Sequence, residues 1–175
     1  AAGTPIAAFE ATLGAQTPII RAMPNTPAAV GKGITALIAN ALIDEDQMQM
    51  AESLLQAVGQ TVRLESEGQM DAVTGVSGSG PAYVFHLIET LAAAGVTQGL
   101  PQELAMQLAK ATVAGAGVLA ELADADPAQL RVNVTSPNGT TQAALNVLMD
   151  PAHGFPPLLE KAVNAATVRS KELAK

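Results

Sequence analysis

Two hydrophobic periods divide this chain, with the change near residue 66. Before it, short apolar runs alternate with amphipathic stretches. Pro18-Ile-Ile-Arg21, Gly33 to Ile38 and Thr61-Val-Arg-Leu64 read as strands. Between them, Thr4 to Leu13 reads as a short helix with Pro5 in its first turn. Asp44 to Val58 is amphipathic. Met48, Ala51, Leu54, Leu55 and Val58 share one face, and Asp44, Glu45 and Asp46 lie at the positive end of the helix dipole. Gly59 ends that helix. Strands interleaved with helices predict part of an α/β sheet.

From Glu67 onward only the helical period remains. Met70, Val73 and Val76 are spaced for one face. Pro81 opens a helix in which Val84, Leu87, Ile88 and Leu91 recur at i, i+3, i+4 and i+7, and Gly95 and Gly99 are expected to interrupt it. Pro101 opens a long helix to about Leu122, with Leu104, Leu108 and small residues at Ala111, Ala114, Gly115 and Gly117. Asp126-Pro127 caps a short helix to about Val132. Pro156-Pro157 begins a last helix, about Leu158 to Leu173. The chain has no internal repeat and no low-complexity linker.

Composition removes several function classes. The 175 residues carry a net charge of −7, with no Cys, no Trp and one Tyr. A phosphate-tracking basic stripe and a base-stacking platform are both missing, which argues against a nucleic-acid binder. Without Cys there is no disulfide scaffold, thiolate zinc site or cysteine nucleophile. His86 and His153 are too few and too far apart to suggest a metal site. No apolar run is long enough to span a membrane and no signal-peptide pattern is visible, so a soluble, cytoplasmic protein is expected.

The segment Asn133 to Asp150 carries the most specific chemistry. Pro137 fixes its own φ, and Asn138-Gly139 tolerates a left-handed backbone. Thr140 and Thr141 follow where a helix opens, and Ala143, Ala144, Val147 and Leu148 continue at helical spacing. A helix N-terminus with free N–H donors is an anion site for a small carboxylate or phosphate. Spacing alone fits an ordinary capped helix at least as well.

Gly75-Val-Ser-Gly-Ser-Gly-Pro81 matches neither the dinucleotide fingerprint nor the P-loop and reads as a tight helix–helix turn of small residues. Arg21-Ala-Met-Pro-Asn-Thr-Pro27 follows a strand. At the carboxyl end of a strand in an open α/β sheet, such a loop is placed for a cofactor, though a surface turn fits equally. The carboxylates form no catalytic pair. Asp124 and Asp126 flank a helix start, and Glu65 and Glu67 read as a solvated face. His86 reads as a structural residue.

Three blocks taken together resemble one family. Met23-Pro-Asn-Thr-Pro27, Asp71-Ala-Val-Thr-Gly-Val-Ser-Gly-Ser-Gly-Pro-Ala-Tyr83 and Asn133-Val-Thr-Ser-Pro-Asn-Gly-Thr-Thr141, in this order and spacing, resemble the pyrroline-5-carboxylate reductases. The resemblance covers essentially the whole chain, with one departure: many members have Gly where this chain has Asn138. It implies an α+β chain overall. Residues 1–66 would be the C-terminal part of an α/β Rossmann-type dinucleotide-binding domain, and 67–175 an all-α helical dimerisation and substrate-binding domain. It implies reduction of the cyclic imine 1-pyrroline-5-carboxylate to L-proline by hydride from NADPH or NADH, and a homodimer that can assemble further. Met23, Pro24, Asn25 and Thr26 would bind the cofactor's nicotinamide end. Ser136, Gly139, Thr140 and Thr141 would bind the substrate, with Thr141 the catalytic residue nearest the ring nitrogen.

The Gly-rich strand–turn–helix of the family is not in the sequence, which starts at Ala1-Ala-Gly3. The expectation is therefore a truncated reductase lacking the front of its sheet, on the order of a hundred residues, with weak cofactor binding and little turnover. Two other classes remain as alternatives. One is a non-catalytic helical oligomerisation module. The other is a different Rossmann-plus-helical dehydrogenase, for which Lys110 lacks the expected neighbourhood.

Overall fold

The computed structural model describes residues 3–173; Ala1 and Ala2, on which the expectation of a truncation falls, lie outside them. By packing, the chain forms two units. One runs to Pro81 and takes back the chain from Glu160 onward; the other is Ala82–Leu159. Secondary structure changes from mixed to purely helical earlier, after Arg63.

The first unit is built on α1 (Ile6–Leu13), β1 (Ile20–Met23), β2 (Gly33–Ala39), α2 (Glu45–Leu55) and β3 (Gly59–Arg63). The strand order is β1-β2-β3. β2 and β3 are parallel, but β1 runs antiparallel to β2, with Ile20 opposite Ala39 and Met23 opposite Ala36. The sheet is therefore mixed, not the parallel remnant expected from the alternation of elements. The carboxyl end of β1 lies at the same edge as the amino ends of β2 and β3, so the rule for parallel sheets does not by itself place a ligand there.

β2 is the central strand, and Thr35, Ala36 and Leu37 in it are all buried. Such a run, rather than alternation, marks a strand covered on both faces. Ile6, Ile19, Met48 and Met70 are also buried in this unit. Asn40 closes the end of β2. Its amide nitrogen donates to Glu10 Oε1 and Thr17 O, and its Oδ1 accepts from the N–H groups of Ile19 and Leu42.

Asp44 caps α2 in a full capping box with Gln47. Arg63, at the end of β3, forks onto two α2 carboxylates, with Nη1 2.8 Å from Glu45 Oε2 and Nε 2.7 Å from Glu52 Oε1. Hydrogen bonds from Arg63, then Gln49, hold Glu45 down to about 2. Glu52 is lowered by the same guanidinium. A carboxyl whose pKa is lowered in the folded state adds stability above its unfolded value. It loses that stability as pH falls through the folded value. The thermal midpoints of the parent and of Arg63→Met should therefore differ at neutral pH and converge between about pH 4.3 and 2. The difference should also shrink in high salt, because the cluster is solvent-exposed. A gap independent of pH would show that Arg63 acts by packing alone.

The chain then passes through α3 (Met70–Val73) and a π-helical turn, Thr74–Gly78, into α4 (Gly80–Thr97). This corrects the reading of Gly75–Pro81 as a turn between helices: the helical path continues, with one bend at Ser79. Gly75 is required by a close approach. A Cβ there would meet Thr167 Oγ1 at 2.6 Å and Val163 O at 3.0 Å, both on α8 (Phe155–Leu173). The same helix is locked by the buried Ser170, whose hydroxyl donates to Asp71 Oδ1 at 2.6 Å.

The second unit contains most of α4, α5 (Gln102–Leu122), α6 (Pro127–Asn133), α7 (Thr140–Leu148) and the start of α8. Gly95 does not interrupt α4 as expected. It lies inside the helix, where a Cβ would come within 3.3 Å of Ala105 Cβ on α5. Gly99, with φ +94°, ends the turn. The buried core of this unit is Ala92, Ala105 and Ala109, flanked by Ile88 and Met106. Beside that buried face, α5 exposes Leu104, Leu108, Ala111, Gly115, Leu119 and Leu122 along one stripe.

Candidate functional site

The predicted site residues fall in two places, one in each unit. In the first unit, Met23 ends β1 and Thr26 opens a 3₁₀ turn, Thr26–Val30. Pro24 and Thr26 are exposed, while Asn25 is half-buried. The two ends of the Asn25 amide are both used. Oδ1 accepts from Ile34 N–H at 3.0 Å, at the start of β2, and Nδ2 donates to Ser77 O at 3.2 Å, in the π-helical turn. Met23 reaches the same turn, and a Cβ on Gly78 would come within 3.0 Å of Met23 Cε.

Just before this loop, Arg21 pairs with Glu67 at 2.8 Å, and Glu67 Oε1 also accepts the Ile6 N–H at 2.7 Å. The Arg21 side chain is only 9% exposed. Glu67 thus joins α1 to β1 and is not the solvated carboxylate expected. The sequence gives no local sign of it, because Ile6 and Arg21 are remote along the chain.

In the second unit, the segment 133–141 forms the loop and helix start that its residues predict. Asn138 has φ +57°, the one positive φ among the described non-glycine residues. Gly139 is not left-handed: its φ is −82°. It must be glycine for a different reason. A Cβ there would collide with Ser136 Oγ and sit 3.1 Å from Ser136 O. The loop is closed by Gly139 N–H donating to Ser136 O at 3.0 Å.

Gly139 is the N-cap of α7, and no side chain caps that end. The first helical hydrogen bond from this turn is Ala143 N–H to Gly139 O. The N–H groups at the start of α7 therefore face outward at the positive end of its dipole, beside the Thr140 and Thr141 hydroxyls. Ser136, Gly139, Thr140 and Thr141 are brought together as one cradle. A separate open cavity of about 470 Å³ lies between α6 and α7, lined by Arg131, Thr135, Gln142, Asn146, Met149 and Asp150 among others. None of these four residues lines it; they lie at a helix end and not in a pocket.

His86 is exposed and faces Glu89, and His153 is exposed beside Asp150. Neither reaches the cradle residues through a hydrogen bond.

The family model for pyrroline-5-carboxylate reductase dimerisation matches residues 67–173. This chain belongs to the pyrroline-5-carboxylate reductase family. It is 49% identical over 174 residues to a Pseudomonas aeruginosa pyrroline-5-carboxylate reductase, covering 99% of this chain and 63% of that protein. It is 51% identical over 157 residues to the Synechocystis enzyme of the same name, covering 90% and 58%. A solved pyrroline-5-carboxylate reductase from Coxiella burnetii superposes with a TM-score of 0.94 at 43% identity, over 99% of this chain and 63% of the other. The Plasmodium falciparum pyrroline carboxylate reductase, solved with NADP bound, gives 0.87 at 32% identity, over 99% and 65%. The chain thus spans about three fifths of the length of these reductases.

Proposed function

We propose that this chain carries the substrate cradle, part of the cofactor site and the dimer-forming helices of a reductase that converts 1-pyrroline-5-carboxylate to L-proline. The observation that carries this reading is the uncapped start of α7 behind Asn138 and Gly139, in a member of this family. A five-membered imine acid offers one carboxylate and one ring nitrogen. The α7 N–H groups and the Thr140 hydroxyl bind the carboxylate, and the Thr141 hydroxyl makes a hydrogen bond at the ring nitrogen. NADPH or NADH supplies the hydride that reaches the imine carbon. The protonated imine is already electrophilic, so the protein's task is orientation and no strong acid is needed.

The loop 23–26 fits the nicotinamide end of such a cofactor. Asn25 has extended backbone, with ψ 167°, which leaves the Pro24 ring and the Thr26 hydroxyl exposed side by side with one apolar and one polar surface. Among the described residues no helix is long and apolar enough to cross a membrane, and we place the activity in the cytoplasm. The unmatched leucine stripe of α5 supports a homodimer formed by the helical unit. Gly115, in the middle of that stripe, has open space where a Cβ would be, so packing within the chain does not require it.

The test is ligand-dependent stability. At L-proline concentrations about 100 times the dissociation constant, stabilisation should be about 2.7 kcal/mol. Thr141→Ala should weaken L-proline about tenfold, the loss of one net hydrogen bond of about 1.5 kcal/mol. If L-proline and carboxylate analogues leave the thermal midpoint unchanged, the cradle is only a helix start and the oligomerisation-module reading replaces this one.

A further inference from the structure

We infer that Asn25 is a positioning residue. Its amide fastens the 23–26 loop to the π-helical turn 74–78 and leaves Pro24 and Thr26 as the surfaces that meet the cofactor. This rests on the cofactor reading of that loop and deepens it.

Each end of the amide has a backbone partner on a different element. Ile34 N–H, at the start of β2, is taken by Oδ1. Ser77 O, in the π-helical turn, is taken by Nδ2. Four positions after Ser77 stands Pro81, which has no N–H to give Ser77 O in the ordinary i→i+4 ladder, and Nδ2 supplies a donor there. Ser77 Oγ donates back to Val73 O at 3.1 Å and Thr74 Oγ1 to Met70 O at 2.9 Å, so the hydroxyls of the turn are turned inward. The second point of attachment is apolar: Met23 Cε against Gly78, where even a methyl group would be at 3.0 Å. Loop and turn therefore meet twice, on both sides of Pro24. Only the Asn25 contact has a two-way geometry that sets a direction, because its neutral amide presents an acceptor to Ile34 and a donor to Ser77 at once. The chain runs from this turn directly into α4, so the loop is tied to the start of the helical part of the molecule.

Asn25→Asp keeps the acceptor and removes the donor, placing a carboxylate oxygen against Ser77 O at neutral pH. Hydrogen-exchange protection at Ile34 and across 74–79 should fall at least tenfold. The β2–β3 ladder, read at Leu64 N–H donating to Leu37 O, should be unchanged. In the same variant the dissociation constant for NADP⁺ should rise about tenfold relative to the parent at pH 7.5. That ratio should recover at pH 5, where a carboxyl held against a carbonyl oxygen regains a proton and with it the donor. A merely structural contribution would give a pH-independent ratio.

Two results overturn the proposal: unchanged exchange at Ile34 and 74–79, or an Asn25 side-chain amide signal that shifts more than those of Pro24 and Thr26 when NADP⁺ is added. If exchange falls as expected but NADP⁺ perturbs no residue of 23–26 in the parent chain, the attachment is real. It is then the cofactor reading of the loop, and the role built on it, that fails.

Discussion

Leu104→Glu with Leu108→Glu should abolish the proposed homodimer and leave a monomer with a much lower thermal midpoint. The argument starts from the core of the helical unit. Its buried apolar side chains are those of three alanines, and alanine contributes little apolar area. A unit of 78 residues, Ala82–Leu159, cannot offset its conformational entropy with so little burial. The missing apolar area is on the surface. Leu104, Leu108, Leu119 and Leu122 are all exposed along one face of α5, with Leu122 77% exposed. A second copy laid on that stripe covers each leucine in both copies, and full burial of an exposed leucine is worth about 1.5–3 kcal/mol. Leu104 and Leu108 are 42% and 47% exposed, so covering the rest of both in two copies represents on the order of 3–6 kcal/mol before the cost of burying the new carboxylates is added. Light scattering should report half the parent mass, and hydrogen exchange should rise across α4 and α5 before it rises in the sheet. A double variant that stays dimeric would show that the dimer uses another face.

Local chemistry made much of this fold legible. Asp126 caps α6 where its spacing places it, with Pro127 at the first helical position, and Asp44, read as part of the first turn of α2, stands one place earlier as its cap. Asn138 adopts the left-handed conformation that its side chain tolerates. These are interactions among residues a few positions apart, and each leaves a trace in the order of residue types. Strand direction leaves none. An apolar run has the same period whether its partner is parallel or antiparallel, so the reversal of β1 against β2 could not be read. The π turn is invisible for a related reason: five residues with one extra backbone unit do not establish a period. The anchoring bonds of Asn25, Asn40 and Glu67 were hidden because each joins groups far apart in sequence. Of the candidate site, the loop and helix start over 136–141 were legible because they form one continuous segment. The way the 23–26 loop is held was not, because its second anchor lies some fifty residues downstream.

Gly139→Ala should abolish binding of L-proline while leaving the sheet unit intact. A left-handed backbone is not the reason, since Gly139 has φ −82°, a value alanine adopts freely. Space is the reason. The added methyl would take the place of Ser136 Oγ and press on Ser136 O. Two responses are open to the loop, and both damage the cradle. If Ser136 is displaced, a side chain proposed to bind the substrate moves. If instead the Gly139 N–H to Ser136 O bond opens, the first turn of α7 tilts and its N–H groups no longer converge on one carboxylate. Each hydrogen bond to a charged carboxylate is worth about 1.5–3 kcal/mol, so losing two should weaken L-proline by more than a hundredfold. Asn138→Gly is the control. Glycine also adopts φ +57°, so that variant should keep full affinity and show at most a small change in midpoint. Equal loss from both substitutions would mean that the loop tolerates no change at all. Retained binding in Gly139→Ala would mean that the carboxylate is held elsewhere than at the start of α7.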